Sequence, residues 1–591
     1  MKKQHSASFS IVRFLKPYRG YFWVTVASII IECALEISVP FLSNLLLKKG
    51  LQYDGTGATV TGLDKSVVTL VAIVMVSFAV IAFVLGILTA QFTARVGRGL
   101  GFELRKEEYR KIQEFSFSNL DDFRINSLVT RMTNDVQIIS DTFCQTIRPL
   151  LRAPLQLACS MVFALLISRE LSIVFAIILP AMAILLIIIL MLTKPMFLSL
   201  QQALDKINRT TQESLTAMKL VRANAKKERE FEKFNDVNTE VKGLGNKALG
   251  INALNMALIQ LMTYLCVLGI LWIGGQYAIA NQQAVMIVNM ATFLDYVMQT
   301  LASLTMLSNV FMIFTRAEAS YSRIKAVFLA QSEIVDPTDS TLAVEDGSVR
   351  FDHVSFKYKK DATENVLEDI TLNIPDGAFI GITGETGSSK STLVSLIDRF
   401  YDVSQGCLYV GEHDVKDYSL ATLRKAIAIS FQSPRLFSGT VKENLLWGNP
   451  SASDEEIRQA CQIAGCYDFI QNQLSDGFAT QLGQTGSNVS GGQRQRLCLA
   501  RAILRKPKIL ILDDSFSALD RITESEVKEN LKTQLPGMTK IIISQKLSTI
   551  QDADRIVVMK DGKIEGVGTR DELLKTDAIY QSIDAIQKEG H

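Results

Sequence analysis

Three stretches of the chain carry no charged side chain: residues 67–94, 171–193 and 248–294. Each exceeds the ~20 apolar residues that cross a ~30 Å hydrocarbon core, and the last is long enough for two crossings. Gly274 and Gly275, followed by Asn281, Gln282 and Gln283, offer the hairpin between those two. Apolar stretches at 21–47 and 138–167 add a first and a third span, and the sixth runs over about 284–314. Six spans put both ends of the chain on one side.

Basic residues near the spans decide which side. Segments 95–131 and 219–233 are rich in Lys and Arg, whereas the turns at 168–171 and 279–283 carry little positive charge, so the basic segments and both termini are expected in the cytoplasm. Residues 1–19 lack the apolar core and cleavage site of a secretory leader. Residues 9–18 read instead as a short amphipathic helix on the inner membrane surface. Helical periodicity continues over 91–113 and 199–235, which predicts that helices two to five run on beyond the bilayer. The hairpin tips fall near 117–123 and 214–222, where they are expected to meet the other half of the chain.

From residue 349 the pattern changes. Short β-branched runs at 349–354, 378–383, 427–431, 509–512, 540–543 and 555–559 alternate with helical stretches, which predicts an α/β domain with a largely parallel core sheet. The stretch before it carries Pro337, several acidic residues and little periodicity. The expected organisation is an α-helical six-span transmembrane domain over 1–325, a linker over 326–347 and an α/β domain over 348–591.

Composition agrees with this division. Of 591 residues, 48% are hydrophobic and 21% charged, too apolar for one soluble domain and too charged for membrane alone. With 62 Lys and Arg against 60 Asp and Glu, no basic excess points to nucleic acid and no acidic tail to disorder. The cysteines, Cys33, Cys144, Cys159, Cys266, Cys407, Cys461, Cys466 and Cys498, form no CxxC pair, so buried free thiols are expected rather than disulfides or zinc.

The apolar strand at 378–383 runs into Gly384, Glu385, Thr386, Gly387, Ser388, Ser389, Lys390 and Ser391, and a helix follows from Thr392. This order makes a phosphate cradle. Backbone amides wrap the phosphates, the helix N-terminus adds positive potential, Lys390 reaches the terminal phosphates and Ser391 ligates Mg²⁺. The motif departs from its pattern at Ser389, where glycine is expected, and a Cβ there restricts a turn that needs positive φ. Run 509–512 ends in Asp513, a carboxylate suited to holding Mg²⁺ through water at a strand's C-terminal edge. Ser490, Gly491, Gly492 and Gln493 open a further helix, a second anion-binding terminus on the same chain.

Together these residues resemble the ATP-binding cassette family, in the exporter branch where six membrane helices precede one cassette, and the resemblance spans nearly the whole length. It implies that Tyr358 stacks the adenine, that the loop from Gly384 to Thr392 holds the phosphates of ATP, and that Gln432 lies between the lobes and joins Ser391 and Asp513 at Mg²⁺. It also implies that two cassettes face head to tail. One subunit's loop and the other's Ser490-Gly491-Gly492-Gln493 signature then clamp a single ATP, which accounts for two phosphate sites per chain. ATP binding closes the pair, and hydrolysis releases it to alternate the access of a membrane cavity.

Two departures concern hydrolysis. The family usually places Glu after the strand's Asp, as general base for the attacking water, and here that residue is Asp514. A carboxylate shorter by one methylene retreats by roughly 1–1.5 Å, and about 1 Å of misplacement costs on the order of a hundredfold in rate. Where the family has His, this chain has Gln545, which hydrogen-bonds but carries no proton charge near neutral pH. Gln484 also replaces an acidic residue common before the signature. The signature itself is intact. The expected assembly is therefore a heterodimer with a second half-transporter bearing Glu and His, in which this chain's own site retains ATP and the other hydrolyses it. The alternatives are a homodimeric exporter, a metal-chelate importer of exporter fold, and an ATP-gated regulator.

For the cargo, Glu32 and Glu36 lie one turn apart in the first span, Asp295 lies in the sixth, and Arg148 and Arg152 begin the third. Ionisable groups in lipid usually face a cavity or a partner. Carboxylates lining the pathway would favour small amphipathic cations. The structural alternative pairs Glu32 or Glu36 with a basic residue of the partner subunit and lets the arginines snorkel. Met256, Met262, Tyr264, Met290, Phe293, Tyr296 and Met298 offer an adaptable apolar cavity, or plain packing. The lack of a peptidase domain before the first span argues against processing of peptide leaders. The expectation is ATP-driven export of drug-like, lipid or peptide compounds across the cell membrane.

Overall fold

A computed structural model describes residues 9–53, 60–281, 284–337 and 340–589. Gln282 and Gln283 of the expected hairpin, and the first eight residues, lie outside the described residues, as does the side chain of Met256. The chain divides into two compact units, one of Met1–Gln113 and Asn126–Ala330, the other of Glu114–Ile125 and Gln331–His591.

The first unit is helical: α1 (Arg19–Gly50), α2 (Lys65–Gln113), then, after α3 (Phe117–Phe123) of the second unit, α4 (Ile125–Thr130), α5 (Val136–Ile167), α6 (Arg169–Thr216), α7 (Met218–Ala223), α8 (Lys227–Asn281) and α9 (Ala284–Leu329). Among the described residues, six helices are long and apolar enough to cross a membrane. A two-stranded antiparallel turn, β1 (Leu51–Tyr53) with β2 (Val60–Leu63), joins α1 to α2. The 49 residues of α2, 48 of α6 and 55 of α8 extend roughly 74, 72 and 82 Å at ~1.5 Å per residue, more than twice a bilayer core. The long extensions expected from periodicity are therefore present.

Small and polar residues set the close contacts. A Cβ at Gly97 would lie 2.2 Å from Cys144 Sγ, so only glycine lets α2 meet α5 there, and the Ser140 hydroxyl donates to the Gly97 carbonyl at 2.8 Å. Between α1 and α9, the Asn44 amide donates to Asn289 Oδ1 and Thr292 Oγ1, and the Tyr296 hydroxyl donates to the Ile37 carbonyl. Where lipid offers no hydrogen-bond partners, such bonds join helices that apolar contact alone does not select. Met290 and Phe293 pack in a buried cluster with Ile270 and Val297, so these members of the proposed apolar cavity are packing residues, whereas Tyr264 and Met298 face outward.

Residues Ile11–Tyr18 form the expected short helix, as a 3₁₀ helix whose aromatic side packs on protein. Phe14 is buried, and Phe9 stacks on Phe328 of α9 at 4.9 Å. The second hairpin tip falls where it is expected: the helical stretch 199–235 breaks at Ala217 and again at Ala225, which adopts φ +50°, leaving α7 as a separate tip with no buried residue.

In the second unit the strands are β3 (Val349–Phe356), β4 (Leu367–Ile374), β5 (Phe379–Gly384), β6 (Gln405–Val410), β7 (His413–Asp414), β8 (Ile427–Ser430), β9 (Gly439–Thr440), β10 (Gln481–Leu482), β11 (Ile509–Asp513), β12 (Thr539–Ile543), β13 (Arg555–Lys560) and β14 (Lys563–Gly568). The core sheet runs β14-β13-β5-β12-β11-β8, parallel except at the β13–β14 hairpin. Strand β3, expected in this sheet, belongs to a separate antiparallel sheet, β4-β3-β6-β7. Its apolar run covers one face of the core, and its pairing partners were not distinct in the pattern.

The tip α3 packs in this unit. The Phe117 ring meets Phe400 at 4.5 Å, the Tyr401 hydroxyl donates to Asp121 Oδ2 at 2.9 Å, and Asn119 donates to the Gln331 carbonyl at 3.1 Å.

Candidate nucleotide site

Strand β5 is buried along nearly its whole length and ends at Gly384, with φ +145°. A Cβ there would lie 2.1 Å from the Met559 carbonyl oxygen, so the strand's exit into the loop requires glycine. The loop closes through Gly387 at φ +88° and Ser389 at φ +67°, and α10 (Lys390–Ile397) starts immediately after. Ser389 thus occupies the left-handed conformation that its side chain disfavours.

Lys390 Nζ donates to the carbonyls of Gly384 and Glu385, at 3.0 and 2.7 Å, and to Ser388 Oγ at 3.0 Å. Ser391 Oγ donates to Asp513 Oδ1 at 3.0 Å. Gln432 Nε2 lies 3.4 Å from Asp514 Oδ2. These side chains, with Thr386, Gly387, Ser388, Ser389, Thr392 and Gln545, line one cavity of about 310 Å³. The positions expected to serve as phosphate loop, metal ligands, base and switch thus surround a common space.

Burial pushes the Asp513 and Asp514 carboxyls up. The Ser391 hydrogen bond opposes this at Asp513, and the Gln432 hydrogen bond at Asp514. Burial also lowers the Lys390 ammonium, against the pull of both carboxylates. A cation between Ser391 and Asp513 relieves the crowding of the two acids. Among the described residues no group of three His, Cys, Asp or Glu gathers as a metal cage. One hydroxyl, one carboxylate and an amide, from Ser391, Asp513 and Gln432, would suit Mg²⁺, which takes oxygen ligands and commonly keeps several waters.

Asp514 itself has φ +48°, and its amide donates to the Ile543 carbonyl at 3.0 Å, tying the base position to the end of β12. Tyr358, assigned to the adenine, is half-exposed. It exchanges a hydrogen bond with Thr392 Oγ1 at 2.9 Å and meets Phe356 and Tyr401 edge-on, beside the cavity rather than in it. Ser490, Gly491, Gly492 and Gln493 do not line this cavity. Ser490 caps its helix by accepting from the Gln493 amide at 3.2 Å while Gln493 Oε1 accepts from the Ser490 amide at 2.9 Å.

One residue was missed. Gln495, buried in the signature helix, donates to Ser517 Oγ at 3.1 Å, and Ser517 Oγ donates to the Asp514 carbonyl at 2.9 Å. The helix opened by Ser490 is thus linked through Ser517 to the backbone of Asp514 in the same chain. A glutamine on the apolar face of a helix was the available signal.

The ABC transporter transmembrane region matches residues 22–304, and the ABC transporter domain residues 367–517. The uncharacterized ABC transporter ATP-binding protein YfiB of Bacillus subtilis is 34% identical over 571 residues, 96% of this chain and 97% of its own. The chain belongs to the ABC transporter family. The uncharacterized ABC transporter ATP-binding protein Rv1273c of Mycobacterium tuberculosis is 31% identical, covering 97% of each chain. YgaD of Bacillus subtilis, named as a candidate multidrug export ATP-binding/permease protein, is 29% identical over 98% of each. In fold, a bacterial Atm1-family ABC exporter solved with ATP bound matches with a TM-score of 0.81 at 22% identity, over 96% of this chain and 99% of that one. The protein is an ATP-binding membrane transporter of exporter fold, and members of its family act as dimers.

Proposed function

We propose that this chain is one half of a heterodimeric exporter of amphipathic compounds, with a cassette that holds MgATP firmly and splits it slowly. The observation that carries this reading is the meeting, in one cavity, of Asp514 and Gln545 with an otherwise complete set of phosphate and metal groups. Lys390, Ser391 and Asp513 supply binding. The base carboxylate is one methylene short and, at the switch position, an amide stands where a proton-carrying ring is usual. The intact Ser490 to Gln493 turn remains available to a partner's ATP.

When bound, Mg²⁺ neutralises charge on the phosphate oxygens. Gln432 and Asp514 orient the attacking water, and Lys390 and the loop amides stabilise the charge that builds on the transferred group. Both termini and the hairpin tips lie in the cytoplasm of the host cell. The name of the relative YgaD supports a multidrug cargo.

The test is ATP-dependent uptake of an amphipathic dye into inverted membrane vesicles. Vesicles holding this chain with a second half-transporter that carries Glu and His at the matching positions are expected to take up dye, and vesicles holding this chain alone are not. Equal uptake by the chain alone establishes the homodimer instead.

A further inference from the structure

Charged residues converge in the membrane unit. Glu32 on α1 pairs with Arg148 on α5, Glu36 pairs with Arg152 a turn further along, and Arg152 Nη1 lies 3.9 Å from Glu32 Oε1. The acids expected to await a partner subunit's base, or a cationic cargo, are thus already countered within the chain. Two carboxylates and two guanidiniums leave the cluster with no net formal charge.

The cluster is not closed upon itself. With Gln156 and Gln299 it forms the polar part of a cavity of about 790 Å³, whose remaining lining is apolar, led by Phe78, Phe83 and Ile87 of α2. Gly86 stands where any side chain would cover the ion pair, since a Cβ there would lie 3.5 Å from Glu32 Oε1 and 3.9 Å from Arg148 Nη2. Glu32 and Gln156 are each only 3% exposed. Even so, Glu32 Oε2, Gln156 Oε1, Gln299 Oε1, Arg148 Nε and Arg152 Nε have no hydrogen-bond partner among the described residues. An ion-pair set that served only to join helices is expected to be enclosed, whereas Arg148 and Glu36 keep 40% and 37% of their side chains exposed.

We propose that this cavity selects a zwitterionic amphiphile. Its cationic group meets the exposed Glu36 carboxylate, its anionic group meets the exposed Arg148 guanidinium, and its apolar body lies along the α2 wall. A ligand of one net charge unbalances a neutral cluster in a low-dielectric site, whereas a zwitterion enters with its charges matched on both sides. The volume falls within the ~300–1,000 Å³ of sites for drug-sized ligands, which points to a single-chain or compact amphiphile rather than a two-chain lipid. The proposal rests on the exporter reading and narrows its cargo.

The test uses the full-length chain in nanodiscs of phosphatidylglycerol, a host without zwitterionic headgroups, corrected against protein-free discs. Three fluorescent single-chain probes of equal length are titrated: an alkylphosphocholine, an alkyltrimethylammonium and an alkylsulfate. The phosphocholine probe is expected to bind about tenfold more tightly than either of the others, and a diacyl phosphocholine lipid to compete weakly. Glu32→Gln leaves the cluster at net positive charge and is expected to move the preference to the sulfate, while Arg148→Gln moves it to the ammonium. The double variant Glu32→Gln/Arg148→Gln restores neutrality and with it the phosphocholine preference, which separates charge selection from loss of folding. An ammonium probe bound as tightly as the phosphocholine, an unchanged order in both single variants, or equal competition by the diacyl lipid overturns the proposal. Because the assay reads binding and not transport, its failure is distinct from failure of dye uptake.

Discussion

The Ser391 hydroxyl donates to Asp513 Oδ1 at 3.0 Å, tying the first turn of α10 to the end of β11 across 122 positions of sequence. Each of these atoms also suits Mg²⁺, so the bond spans the position a bound cation would take. Ser391→Ala is expected to weaken ATP binding about tenfold with Mg²⁺ and to leave Mg²⁺-free binding nearly unchanged. Fluorescent-nucleotide titration with and without EDTA reads the difference. Equal losses in both conditions would show that Ser391 shapes the loop instead.

Ser389 keeps a left-handed backbone at φ +67° in a loop that admits glycine freely. Ser389→Gly removes a conformational cost of about 1 kcal/mol. It is expected to raise the thermal midpoint of the ATP-loaded protein by a few degrees, and Ser389→Val to lower it. A midpoint that falls for glycine contradicts the strain.

Asp398 caps α10, is 8% exposed, and has an Oδ1 without a hydrogen-bond partner among the described residues. Burial pushes its carboxyl up from 3.8 to about 7, against the pull of Arg424 and Arg505. The folded form therefore prefers the protonated acid. That preference stabilises the fold fully below about pH 4 and is lost as pH rises through about 7. Asp398→Asn lacks this dependence, so its stability relative to the parent is expected to grow between those limits, by on the order of 4 kcal/mol at most, and to level off above. Thermal midpoints of both proteins across that pH range check it, and parallel curves contradict it.

How much was legible in the sequence follows from which signals are local. Charge-free runs marked the membrane helices because crossing a bilayer needs length and apolarity at once, and helix extension beyond it showed in unbroken periodicity. The phosphate loop, Asp513, Asp514 and Gln545 were read correctly as neighbours because a parallel sheet gathers strand ends at one edge. Long-range pairing was less visible. Strand β3 carries the same apolar run as a core strand, and only its antiparallel partners β4 and β6 reveal the second sheet. The amphipathic pattern around Phe9 and Phe14 marked a helix but not the partner of its aromatic side, Phe328 of α9. The pairing of Glu32 with Arg148 joins residues 116 positions apart, which no periodicity encodes.

Hydrolysis by the purified chain, without any other subunit, tests the central claim most directly. The wild-type protein is expected to bind MgATP yet turn it over slowly, and Asp514→Glu with Gln545→His to raise turnover on the order of a hundredfold, because the base carboxylate regains its reach and the switch position its proton. Brisk hydrolysis by the unaltered chain, or no gain from the paired exchange, contradicts the account.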